Sequence, residues 1–156
     1  MIYQLEITLK SELFDAEGEA LRRKAKDYFG IRLEQVRTIH IVTIEAGLSA
    51  GEIERVKDEI FTNPVTQISS FEPLPIPFDW TIRVGYRPGV RDNPGSTGVE
   101  AVEDLLGIKL GPDDGIYTSS RYCLKGAGLT MDMVDMIAGQ LLANDIIQQW
   151  EVFSEA

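Results

Sequence analysis

The sequence predicts an α+β fold of two tandem β-α-β-α-β repeats, whose antiparallel sheets form a pseudo-twofold dimer within one chain. Three observations predict it. The first is internal repetition. At one constant offset, Leu5, Ile7 and Lys10 fall on Ile82, Val84 and Arg87, Asp15 and Gly18 on Asp92 and Gly95, and Asp27, Gly30, Ile31 and Leu33 on Asp104, Gly107, Ile108 and Leu110. Four extra residues then enter the second copy. The match resumes with Gly47, Leu48 and Ser49 on Gly128, Leu129 and Thr130, and ends with Asn63 and Val65 on Asn144 and Ile146. Glycine, Asp and Asn recurring in one order at turn positions mark a repeat. The second observation is that the apolar period switches between strand-like and helix-like in the same order in both copies. The third is the run Glu72-Pro73-Leu74-Pro75-Ile76-Pro77, whose alternating prolines favour an extended, semi-rigid connector. The expected division is therefore repeat one at 1–72, a linker at 73–78 and repeat two at 79–156.

Each repeat opens with a half-buried strand. Tyr3, Leu5, Ile7 and Leu9 alternate with polar residues, as do Trp80, Ile82, Val84 and Tyr86. A turn follows at 11–15 or 88–93. A helix comes next, with Leu21, Ala25, Tyr28 and Phe29 as its buried stripe, mirrored by Val99, Val102, Leu105 and Leu106. Gly30 and Gly107 stand just past the last periodic residue, where a glycine takes the left-handed conformation that ends a helix. The β-branched stretch 36–45 and its counterpart 115–124 read as long strands. Ser49 and Thr130 are N-caps of a second helix, and Glu52 stands where a capping box needs it. Last strands are expected near 65–71 and 146–153. A repeat of about 75 residues buries too little apolar surface to be comfortable alone, so the two are expected to pack together.

Composition narrows the function classes. Apolar residues make up 44% and charged ones 26%, which fits a globular chain and excludes a disordered or collagen-like one. A formal charge of −10 opposes binding to nucleic acid phosphates and to anionic lipid. The nearest approach to a basic patch, Arg22, Arg23, Lys24 and Lys26, is interspersed with Glu17, Glu19 and Asp27. No apolar run reaches the roughly 18 residues of a membrane span. The first residues, Met1-Ile2-Tyr3-Gln4-Leu5-Glu6, lack the basic and apolar regions of a signal peptide. With a single cysteine, Cys123, the chain forms no internal disulfide. A cytoplasmic location is the expectation, with no nucleic acid and no membrane as partner.

The chemistry-bearing residues are few. His40, the one histidine, lies in the apolar run Thr38-Ile39-His40-Ile41 and reads as a strand residue rather than a base or ligand. One His and one Cys give no zinc ligand set. A P-loop, a G-x-S-x-G elbow and a G-x-G-x-x-G turn do not occur. Gly126-Ala127-Gly128 reads as a mobile turn. No cofactor, metal or catalytic residue is therefore expected. Met131 and Met133 cannot both face the core with Val134 and Ile137, which leaves one exposed as a partner-contact candidate. The run Arg87-Pro88-Gly89-Val90-Arg91-Asp92-Asn93-Pro94-Gly95-Ser96 is a strand exit, a turn and a helix start. Its arginines and helix amides suit an anion, its turn residues suit a well-made turn, and the loop is a protein-contact candidate through Arg87, Arg91, Asp92, Asn93 and Ser96.

These segments also carry a resemblance. Lys10-Ser11-Glu12-Leu13-Phe14-Asp15-Ala16-Glu17-Gly18 and its echo Arg87-Pro88-Gly89-Val90-Arg91-Asp92-Asn93-Pro94-Gly95 resemble the LKPGVxDPxG opening of the PurS family. That family is the small structural subunit of phosphoribosylformylglycinamidine synthase. Phe61-Thr62-Asn63-Pro64-Val65 and Leu141-Leu142-Ala143-Asn144-Asp145-Ile146 resemble its LLANPVIE ending, and Gly30 and Gly107 sit where it has a helix-ending glycine. Copy one departs at Ser11-Glu12, where Pro-Gly is expected, and copy two at Asp145, where Pro is expected. The fused duplication is similar to the N-terminal region of single-chain forms of that synthase. The resemblance implies a role without catalysis in this chain, inside an ATP-dependent C–N ligase that takes its nitrogen from glutamine. It implies a synthetase and a glutaminase as partners, self-association, and support of ammonia transfer between the two. A second reading from another class is a tandem α+β small-molecule sensor.

Overall fold

The structure is a computed structural model and describes residues 1–155. Twelve elements follow one another: β1 (Ile2–Leu9), α1 (Ala16–Phe29), β2 (Gln35–Glu45), α2 (Ala50–Val56), a π-helical turn (Lys57–Phe61), β3 (Gln67–Ser70), β4 (Trp80–Tyr86), α3 (Asn93–Leu106), β5 (Gly115–Lys125), α4 (Met131–Ile137), a second π-helical turn (Ala138–Leu142) and β6 (Gln148–Ser154). The fold is α+β. Its strands form a six-stranded antiparallel sheet in the order β3-β1-β2-β5-β4-β6.

The chain packs into two compact units. One gathers Met1–Leu13, His40–Leu74 and Arg91–Thr118. It holds β1, β3, α2, the first π turn, α3 and one half each of β2 and β5. The other gathers Phe14–Ile39, Pro75–Val90 and the chain from Ser119 onward. It holds α1, β4, β6, α4, the second π turn and the remaining halves of β2 and β5. The packing therefore divides the chain differently from the sequence boundaries at 72 and 79. Helix α1 belongs with β4, β6 and α4, and helix α3 with β1, β3 and α2. In the first unit Leu5, Ile44, Val56 and Val102 are fully buried in one cluster. In the second, Ala25, Ile82, Leu124 and Val134 are. Each cluster joins a helix from one half of the sequence to strands from the other, so neither half of the sequence contains a finished core.

Local signals read from the sequence are found in place. Asp15 and Asp92, which the sequence placed in the turns before the helices, prove to cap α1 and α3. Gly30 and Gly107, both at φ 67°, end them. The Gly30 N–H donates to the Lys26 carbonyl at 2.9 Å and the Ile31 N–H to the Ala25 carbonyl at 3.1 Å, a Schellman-type close. Ser49 and Glu52 form a reciprocal capping box, and Thr130 caps α4.

Several expectations are corrected. Tyr28, assigned to the core stripe, is 69% exposed. The second helix of each half is a short α-helix that widens into a π turn. The last strands start at Gln67 and Gln148, because an Asn turn precedes each: the Asn63 side chain accepts from the Val65 N–H at 3.0 Å and the Asn144 side chain from the Ile146 N–H at 3.1 Å. The Gln67 and Gln148 side chains accept in turn from the Asn63 and Asn144 N–H groups at 2.8 and 2.9 Å. Gly126 is fixed, not loose: it is buried, and its N–H donates to the Asp79 carboxylate at 2.9 Å. The proline-rich connector is anchored too, since Leu74 is buried and its N–H donates to Glu6 Oε1 at 2.8 Å.

Candidate functional site

The segments 10–18 and 87–96 are built alike. The Lys10 N–H donates to the Thr66 carbonyl and the Arg87 N–H to the Ile147 carbonyl, both at 2.9 Å. Each strand exit is thereby tied to the Asn turn beside it. A tight turn follows, closed by the Leu13 N–H on the Lys10 carbonyl at 2.9 Å and by the Val90 N–H on the Arg87 carbonyl at 3.1 Å. In the second segment Pro88 presets the turn and Gly89 takes φ 83°. The first segment places Ser11-Glu12 at the same turn and uses no left-handed residue, since among the described residues no non-glycine has positive φ.

Asp92 then does two jobs. Its Oδ1 accepts from the Gly95 N–H at 2.9 Å, which caps α3. Its Oδ2 accepts from the Thr118 N–H at 2.5 Å, and the Thr118 hydroxyl donates to both oxygens at 2.8 and 3.0 Å. Asp15 repeats the arrangement on Gly18 at 2.9 Å and on the Thr38 N–H at 2.7 Å. One carboxylate thus joins a helix start to a strand. Glycine is needed three residues later because the helix lies directly on the strand backbone: a Cβ at Gly95 or Gly18 would collide with the carbonyl oxygen of Ile116 or Val36. The Asp92 carboxylate already occupies the helix N-terminus, so those amides are not open to an outside anion.

The other expected contact residues separate by role. Arg87 is exposed, and its Nε donates to the Asp145 carbonyl at 2.7 Å, which holds the strand exit against the second Asn turn. Arg91, Asn93 and Ser96 are exposed. Met131 is 59% exposed, whereas Met133 is half-buried against the core of its unit, which resolves which of the two faces outward. His40 is exposed on β2, in register with Ile7 of β1. Cys123 is buried and forms no disulfide, with Arg121 Nη1 at 3.5 Å from its sulfur.

Sequence reasoning missed the most exposed apolar side chains of the two Asn turns. Val65 is 77% exposed and Ile146 79%. The available signal was a β-branched residue two positions after a turn Asn, where it has no core to enter. Phe14, beside the first helix cap, is exposed as well.

Four charged or phenolic groups are perturbed, Glu19 and Arg22 as a pair, Lys57 and Tyr122. The Arg22 guanidinium, bonded to both Glu19 oxygens at 2.6 and 2.8 Å, holds the Glu19 carboxyl below the usual carboxylate range. Asp58, with Glu54, raises Lys57. Burial pushes the Tyr122 phenol up, and the nearby Glu17 charge adds to it. Among the described residues no group of His, Cys, Asp and Glu is arranged to hold a metal ion, and no helix is long and apolar enough to cross a membrane. No family model matches the chain, and no curated protein matches it.

Proposed function

We propose that this chain is a cytoplasmic, non-catalytic structural subunit or domain of phosphoribosylformylglycinamidine synthase. In that role it bridges the ATP-dependent synthetase and the glutaminase and supports ammonia transfer between them. It is read as an internal duplication whose copies interlock as a pseudo-twofold pair. One observation carries the reading. The two segments that resemble the PurS opening and ending adopt the same capped turn and the same π turn with Asn turn, once in each half of the chain. The motif residues that recur are those the local structures require: Asp at the cap, Gly at the helix–strand contact and Asn at the last turn. The residues assigned to partner contact are exposed Arg91, Asn93, Ser96 and Val65 in the first unit, and exposed Met131 and Ile146 in the second. Exposed apolar side chains set among polar ones suit such contacts.

The test is assembly. Purified chain is mixed with the synthetase and glutaminase subunits, with ADP and glutamine present, and sedimentation is measured. A complex containing all three proteins is expected, weakened when Met131→Lys and Val65→Lys are combined. Three independently sedimenting species would overturn the reading.

A further inference from the structure

Two of the basic residues interspersed with acidic ones along the sequence come together with a third in space. Helical spacing places Arg22 and Lys26 one turn apart on the same side of α1. The chain then reverses through Gly30, and Ile31 and Leu33 enter the core at 4% exposure each. Arg32, between them on an extended stretch, is turned outward. The result is a cavity of about 200 Å³ lined by Arg22, Lys26, Arg32 and Leu33. Glu19 holds Arg22 in place with two hydrogen bonds. Lys26 and Arg32 have no ion pair among those found in the described residues. The lining thus carries three cationic side chains and no acidic one, in a chain whose formal charge is −10.

We propose that this cavity binds the phosphate group of a phosphomonoester. The Arg32 fork, the Lys26 ammonium and the Arg22 N–H groups not bonded to Glu19 match the donor requirement of a phosphate dianion, and Leu33 offers an apolar wall to the carbon skeleton beside it. The competing structural explanation is that the cations complement the negative end of α1. That end amounts to roughly half an elementary charge, and its Ala25 and Lys26 carbonyls already accept from the Ile31 and Gly30 N–H groups. It accounts for Lys26 in the last turn. It does not account for Arg22 in the middle of the helix or for Arg32 beyond the cap. The site lies within one unit and does not depend on the proposed bridging role.

The experiment is an amide NMR titration of the full chain with inorganic phosphate and with ribose 5-phosphate, at constant ionic strength, against sodium chloride. Saturable shifts are expected at residues 22, 26 and 30–33, with ribose 5-phosphate binding at least as tightly as phosphate. In the double variant Lys26→Gln, Arg32→Gln, with dispersed spectrum and thermal midpoint retained, the affinity should fall about tenfold or more. Linear shifts equal to those from chloride would overturn the proposal, and so would unchanged affinity in the double variant. If the double variant unfolds, Arg32→Gln alone is titrated against the same criterion.

Discussion

Replacing Gly95 by Ala tests the helix–strand contact of the first unit, which Gly18 repeats in the second. The new Cβ would lie well inside 3.0 Å of the Ile116 carbonyl oxygen, with the carbonyl carbon and Asp92 Cγ each at 3.1 Å. Those atoms are backbone and a fixed cap, so α3 has to lift away from β5. Overpacking of this kind costs about 1–3 kcal/mol. The lift also stretches the Asp92 bonds to Gly95 and Thr118, and loss of a cap costs about 0.5–2 kcal/mol. Alanine's better helix propensity returns at most about 1 kcal/mol. The net expectation is a loss of about 1–4 kcal/mol. Gly51→Ala is the control, because Gly51 is helical in α2 and a Cβ there meets nothing within 4 Å. The same chemical change should there be neutral or stabilising by up to about 1 kcal/mol. Urea unfolding followed by far-ultraviolet circular dichroism measures both. The pair should differ by at least about 1 kcal/mol with unchanged slopes. A Gly95→Ala protein as stable as the parent, or indistinguishable from Gly51→Ala, would refute the close-contact reasoning.

Asp92→Ala removes the cap of α3 and its tie to Thr118 together, and should destabilise by about 2–4 kcal/mol in the same urea assay; Asp92→Asn, which keeps an acceptor oxygen, should lie between it and the parent. Tyr122 has a raised pKa, so the folded state holds its proton longer than the unfolded state does. Stability should be unaffected below about pH 10 and should fall as pH rises from there through the raised value. In a phenolate absorbance titration one of the five tyrosines should lag the rest, and Tyr122→Phe should abolish that lag. Glu19 has a lowered pKa, so its contribution is present above about pH 4.3 and is lost as pH falls through the lowered value. Glu19→Gln should flatten acid unfolding in that window.

Much of the local structure was legible because it is set by short-range chemistry. Period-two alternation marked β1 and β4, and Ser49 and Thr130 marked helix starts. Gly30 and Gly107 marked helix ends. Less legible was what packs on what. The apolar stripe of α1 at Leu21 and Ala25 says that the helix buries one face, but nothing in it specifies β4 and β5 rather than β1 as the cover. Tyr28 fits the helical period and is exposed, because the period fixes a direction and not the presence of a neighbour. Gly18 and Gly95 stood out as repeated turn glycines. Their role, room for a strand carbonyl, became visible only with the strand in place. The π turns escaped notice because Ile60, Phe61, Leu141 and Leu142 fit an ordinary helical stripe nearly as well. For the basic cavity, Arg32 lies ten residues from Arg22 and joins it through the reversal at Gly30.

The bridging role is tested most directly by ATP turnover of the reconstituted synthetase and glutaminase, with and without this chain, using glutamine or free ammonia as nitrogen donor. The account predicts that turnover with glutamine requires the chain and that turnover with ammonia does not. Glutamine-dependent turnover that is the same with and without the chain would contradict it.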